Sequence, residues 1–229
     1  MTKSDRQDHT GERRDGGSRA LALGAVAVGA AAGFALLNAA VVRRHTAAAD
    51  EEVRRRTASP RGHPARRVAR AMAPAGKWWT YVPAALAAST CVLAGPGPRG
   101  EDAARSRRAG AGAVMLAGAV ATALNPAFDR WLPQPPTPPG HRKRNKPVFP
   151  SGHAFGPGAV SLAAAYVLAR EEIARPAATV PVALALPLAL AGGRVLEEKH
   201  WASDVLGGLL GGLAVAAACL AAYEAVRGR

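Results

Sequence analysis

"KPVFPSGHAFGPG", Lys146 to Gly158, leads from a basic loop into apolar helix, and the polar residues at that junction decide how the chain is read. Pro150, Ser151, Gly152 and His153 stand where a lipid-length segment begins. At a helix start the first backbone N–H groups lack carbonyl partners and the macrodipole is positive, so Ser151 and Gly152 mark an anion site. Glycine also lets a ligand approach the backbone closely. A histidine beside such an anion titrates near neutral pH and can deliver a proton to a leaving oxygen.

The surroundings explain why the junction is unusual. Over 229 residues the apolar fraction is 49% and the mean hydropathy only +0.01, yet charge is confined to blocks separated by long uncharged runs. Six such runs occupy 20–42, 78–95, 109–124, 154–169, 177–193 and 205–223. A soluble bundle would alternate polar and apolar positions at the helical period, whereas these runs are apolar or small all the way round. A bilayer core takes about 20 apolar residues per helix, so the first and last runs qualify outright and the others qualify as a set. The expectation is an all-α protein, a six-helix transmembrane bundle forming one membrane-embedded domain over 20–229. Residues 1–19, polar and Gly-containing, read as a disordered basic tail.

Many of these runs are built from Ala and Gly, so lipid transfer favours each one weakly and close helix packing must supply the rest. "GGLLGG" places Gly207 with Gly211, and Gly208 with Gly212, four apart on one face, the small-xxx-small pattern of tightly crossing membrane helices. The arginine-rich connection from Arg43 to Lys77 contains "PARRVARAM", either a short helix on the headgroup surface or a solvated linker. Trp78, Trp79, Trp131 and Trp201 lie near segment ends, as in an interfacial belt or as ordinary core residues.

A net charge of +14 invites a nucleic-acid reading, but the basic residues flank every apolar run and no aromatic-interleaved basic strand or recognition helix accompanies them. The partners expected are membrane lipids, with no nucleic acid. Cys91 and Cys219 sit inside apolar runs with no CxxC and no histidine at ligand spacing, and no carboxylate cluster suits Mg2+, so neither a metal nor another cofactor is expected. Six helices put 13 Lys and Arg on the side of the termini and 17 on the other, too even a split to orient the bundle.

The second polar group is "GRVLEEKHWASDV", joining the fifth run to the sixth and bringing Arg194, His200 and Asp204 to the same expected side as His153. Spaced i, i+4, Asp204 can hold one ring nitrogen of His200 and leave the other as a nucleophile. Arg194 offers a planar fork for phosphate oxygens.

The order "PSGH" then "R-x5-H-x3-D" resembles the type 2 phosphatidic acid phosphatase (PAP2) superfamily over roughly Trp78 to Tyr223. That resemblance implies a six-helix membrane fold and metal-independent hydrolysis of a lipid phosphate monoester or diphosphate through a phosphohistidine. His200 would be the nucleophile, Asp204 its orienting partner, His153 the general acid, and Ser151, Gly152 and Arg194 the phosphate ligands. It also favours a plasma-membrane enzyme with its active site on the extracytoplasmic face, and the abundance of Ala, Arg and Gly fits a high-GC bacterial genome.

The chain departs from the family in two places. The first motif, lysine, six residues, then Arg-Pro, is here "NPAFDRWLP", with Asn125 and Leu132 in place of the two cations and only Pro133 matching. The third motif usually begins Ser-Arg and here reads Gly193-Arg194. Arg130 and Lys146, with Arg142, Lys143 and Arg144, are candidates to replace the lost charges, or they contact anionic lipid. A catalytically weak or inactive member that binds lipid phosphates is the alternative. A soluble vanadate haloperoxidase conflicts with the lipid-length runs, and a transporter with motif residues placed at helix ends.

Overall fold

A computed structural model describes residues 3–60, 62–96, 100–141 and 146–228, with side chains described from Gly16 onward. The described residues are helical, without strands: α1 (Lys3–Val42), α2 (Ala47–Thr57), α3 (Pro64–Met72), a 3₁₀ turn (Ala73–Gly76), α4 (Trp78–Ala94), α5 (Glu101–Trp131), α6 (Gly152–Arg170), α7 (Pro176–Leu196) and α8 (Ala202–Arg227). The six expected runs fall in separate helices, in order α1, α4, α5, α6, α7 and α8, with only Gly95 of the second run lying past its helix. Helix α1 extends back to Lys3, through the segment that the sequence suggests is a disordered tail.

The bundle wears its large aliphatic residues outward. Leu21, Val28, Leu36, Leu86, Leu93, Leu116, Val182, Leu184 and Leu188 are exposed, while the core is largely Ala85, Ala113, Ala117, Ala121, Ala159, Ala163 and Ala216 with a few aromatics. In water this arrangement would leave an apolar belt unpaired; in lipid it presents leucine to acyl chains and lets small residues bring backbones together. Among the described residues four helices, counted from Gly16 in α1 and including all of α5, α7 and α8, are long and apolar enough to cross a bilayer; α4 is a shorter apolar helix of 17 residues. The protein is an integral membrane protein.

Helix α6 runs through the centre, buried continuously from Ala154 to Val160 and touching α4, α5, α7 and α8. The glycine face of α8 sets its distance from α6. A Cβ on Gly208 would lie 2.5 Å from the Ser151 carbonyl oxygen, and one on Gly212 would lie 2.8 Å from that of Phe155. Gly207 and Gly211 make the same close approach to the rings of Phe149 and Phe155. The small-xxx-small pattern therefore does pack helices, and it brings the start of α8 against the start of α6. Gly156 likewise admits the ring of Tyr81 from α4.

The connection between α1 and α4 is structured. Helices α2 and α3 and the 3₁₀ turn pack against the end of α7 and the start of α8. Trp78, Trp79 and Trp131 are exposed, as an interfacial belt requires, whereas Trp201 is half-buried and donates from Nε1 to the Pro136 carbonyl at 2.7 Å. Cys91 is exposed on α4 and Cys219 buried on α8, both as free thiols.

Candidate functional site

At one end of the bundle the last turn of α5, the start of α6, the end of α7 and the start of α8 converge. Ser151, the N-cap residue of α6, is fully buried and donates its backbone N–H to the Asp204 carbonyl at 2.8 Å, tying the "PSGH" turn to α8. Its own carbonyl takes the amides of Ala154 and Phe155, which leaves Gly152 and His153 as the first-turn donors of α6. Gly152 is constrained as well, since a Cβ there would lie 2.9 Å from Asn125 Oδ1.

The two histidine rings are neighbours, with centroids 6.5 Å apart and planes tilted by 55°. Their tautomers follow from their partners, because a carbonyl oxygen only accepts. His200 Nδ1 lies 2.8 Å from the Val148 carbonyl, so Nδ1 carries the hydrogen and Nε2 of the neutral ring keeps its lone pair. His153 Nε2 lies 3.1 Å from the Ala73 carbonyl, so Nε2 carries the hydrogen and Nδ1 is the free position. Asp204 Oδ2 is 3.4 Å from His200 Nδ1 and accepts the Trp201 backbone N–H at 2.8 Å. His200 precedes α8, so the i, i+4 spacing brings the carboxylate near the ring while Val148 makes the shorter bond. Burial, reinforced by the positive charge of Arg194, pushes the His200 imidazole down to about 3, so the ring is neutral at ordinary pH.

Among the described residues, the buried side-chain atoms without a hydrogen-bond partner include three on the residues of this group: Ser151 Oγ, Arg194 Nε and Asp204 Oδ1. Such atoms are expensive to bury unless something else satisfies them, and a serine hydroxyl and a guanidinium N–H together suit an anion with several acceptor oxygens. Arg194 donates from Nη1 to Glu197 Oε2 at 2.6 Å.

The weaker candidates separate. Lys146 is exposed, but its charge acts on the His200 ring; Arg130 is exposed near the end of α5. Arg142, Lys143 and Arg144 lie outside the described residues. Asn125, in the place of the family lysine, is held by Ala121 O at 3.1 Å and Tyr81 Oη at 3.4 Å and abuts Gly152. Gly193, in the place of the family serine, leaves room for α3, because its Cβ would meet Ala69 Cβ at 3.1 Å. Among the described residues no group of three or more His, Cys, Asp or Glu side chains is placed to hold a metal.

Several residues that shape the site escape sequence reasoning. Gln134 clamps the approach to "PSGH", accepting from the amides of Val148 and Phe149 and donating to the Phe149 carbonyl, each at 2.9 Å. Asp50 of α2 caps α8, accepting from Ser203 N at 2.9 Å and Ser203 Oγ at 2.7 Å. Gly76 of the 3₁₀ turn leaves space filled by the His153 ring. A lone glutamine in "LPQPPTPP" was a signal of sorts; the backbone carbonyls of Ala73 and Val148 give none.

A family model described as the PAP2 superfamily matches residues 110–227, more than half of the chain. No curated protein matches the sequence. Among solved structures, the fold is similar to that of a transmembrane PAP2 type phosphatidylglycerolphosphate phosphatase from Bacillus subtilis. The TM-score is 0.67 and the identity 20%, covering 83% of this chain and 92% of that one.

Proposed function

We propose that this chain, which belongs to the PAP2 superfamily, hydrolyses a phosphate monoester or diphosphate of a membrane lipid through a phosphohistidine on His200, without a metal ion. The family places it among phosphoric ester hydrolases; the substrate, the residue roles and the route are the proposal. The observation that carries the reading is the group of unpartnered polar atoms, Ser151 Oγ and Arg194 Nε, beside a neutral histidine whose Nε2 lone pair is free.

His200 Nε2 attacks phosphorus, and the bond to the leaving oxygen breaks as His153 gives that oxygen a proton. With Nε2 of His153 tied to Ala73, Nδ1 takes up a proton as the anionic phosphate enters beside it, and that proton is the one transferred. In the second half, Nδ1 takes a proton from water, the water oxygen bonds to phosphorus, and His200 is released. Arg194, Ser151 and the amides of Gly152 and His153 stabilise the charge on the equatorial oxygens. Asp204 supports the Nδ1–H side of His200 as positive charge develops on the ring. Acyl or prenyl chains lie along the leucine-clad exterior and the headgroup enters from the membrane surface, the extracytoplasmic one in a bacterial plasma membrane.

The altered first motif bears on rate. Losing one preorganised transition-state donor typically lowers the rate about 100-fold to 1000-fold, so Asn125 and Leu132 point to slower turnover or a different substrate, with nucleophile and acid retained. Phosphate release by detergent-purified protein, measured in EDTA on lipid monophosphates and diphosphates, tests the reading. Release that disappears in His200→Ala supports it. Release that survives the mutation, or depends on an added metal, contradicts it. No release from any substrate favours a member that binds lipid phosphates without turnover.

A further inference from the structure

Glu197 is almost fully buried, and its two carboxylate oxygens face different tasks. Oε2 accepts from Arg194 Nη1 at 2.6 Å, and Oε1 is paired with Lys199 Nζ at 3.0 Å and Arg70 Nε, on α3, at 3.7 Å. The next residue, Glu198, has a left-handed backbone with φ of 55° and is held by Arg54 Nη1 at 3.0 Å and Arg66 Nη2 at 3.6 Å. The turn carrying both carboxylates is thus fixed from outside by arginines of α2 and α3. A buried carboxylate anchored on one oxygen is a rigid reference point for whatever its other oxygen holds.

What it holds is the guanidinium whose Nε has no protein partner. The arginine side chain has several rotatable bonds, and without a second contact its fork would sample many positions in the pocket. We infer that Glu197 is a positioning residue for phosphate binding, fixing Arg194 by one terminal nitrogen so that its remaining N–H groups stand ready for the phosphate. This rests on the proposed role of Arg194 as a phosphate ligand. The geometry also defines the opposite possibility, in which Glu197 competes with phosphate for the same fork, and the two differ in sign.

A double-mutant cycle tests the inference, with Arg194→Ala, Glu197→Ala and the double variant assayed for kcat, KM and inhibition by orthovanadate, and each variant melted in detergent. Arg194→Ala is expected to lower kcat/KM about 100-fold and Glu197→Ala about 10-fold, with weaker vanadate inhibition in both, and the double variant to match Arg194→Ala alone. Glu197→Gln, which keeps an acceptor at Oε1 or Oε2, should recover part of the loss and serves where Glu197→Ala does not fold. An equal penalty for Glu197→Ala with and without Arg194, a fall in KM, or no change in vanadate inhibition overturns the positioning role while leaving the phosphatase reading intact. An unchanged rate in Arg194→Ala overturns the role of Arg194 as a phosphate ligand and, with it, the positioning role of Glu197.

Discussion

The two ends of the bundle both bury charged side chains, and they satisfy them differently. At the end away from the site, Glu224 is fully buried and accepts on Oε1 from Tyr166 Oη at 2.8 Å and Arg170 Nε at 3.0 Å. Glu171 accepts there from Ser106 Oγ at 2.6 Å, Tyr223 Oη and Arg227 Nη1 at 3.3 Å. These contacts join α5, α6 and α8 into a network, with Glu224 Oε2 its one unpartnered atom among the described residues. At the site end, the group around the two histidines includes an unpartnered hydroxyl, guanidinium N–H and carboxylate oxygen. Pairing within the chain makes a lock; donors left over in a cluster make a binding site.

The contrast can be broken by experiments that separate activity from stability. The largest expected effect is that of His200→Ala, which removes the nucleophile and should lower kcat by about 10⁴-fold or more while the protein still purifies and melts as a folded bundle. Next is Glu224→Ala at the opposite end, expected to destabilise by about 3 to 5 kcal/mol, because Arg170 and Tyr166 lose their buried partner, with kcat per folded molecule unchanged. A large loss of turnover in a well-folded Glu224→Ala protein would erase the distinction between the ends.

Ser151→Ala sharpens the comparison further. It removes a buried hydroxyl that has no partner, so activity should fall about 10-fold to 100-fold while the melting temperature holds or rises slightly. Lys146→Ala is a smaller probe of whether this exposed cation supplements the altered first motif; KM should rise about threefold, and only at low salt. The smallest expected effect is on the acid limb of the pH–rate profile. With His200 held down to about 3, its lone pair is free at every pH above that value, so His200 protonation produces no inflection between pH 5 and 8. The same shift favours the folded state above the ordinary histidine value of about 6.5, and that contribution fades as pH falls from there towards 3.

The long helices were legible because lipid removes the usual ambiguity: a run apolar on every side has one stable home. The glycine face of α8 was legible for the same reason, since small residues at four-residue spacing imply a close neighbour. His153, Arg194, His200 and Asp204 could be grouped from their order along the chain, and the structure brings the histidines, Arg194 and Asp204 to one end. Their orienting contacts could not be read. Val148 and Ala73 act through backbone carbonyls, which no side-chain pattern encodes. The role of α2 and α3 was hidden as well, because Asp50, Arg54, Arg66 and Arg70 look like a solvated charged linker until Ser203, Glu197 and Glu198 are placed beside them. Gly193 is legible only in three dimensions, as the space that Ala69 needs.

The proposed hydrolysis turns on a covalent bond between phosphorus and one histidine nitrogen. Purified protein mixed with a lipid phosphate in EDTA, quenched in alkali within the first turnovers and digested, should yield the His200 peptide with the added mass of one phosphoryl group, absent in His200→Ala and lost on brief acid treatment. Steady phosphate release with no phosphoryl group on His200 at any quench time, including in His153→Ala where the intermediate should accumulate with a good leaving group, would contradict it.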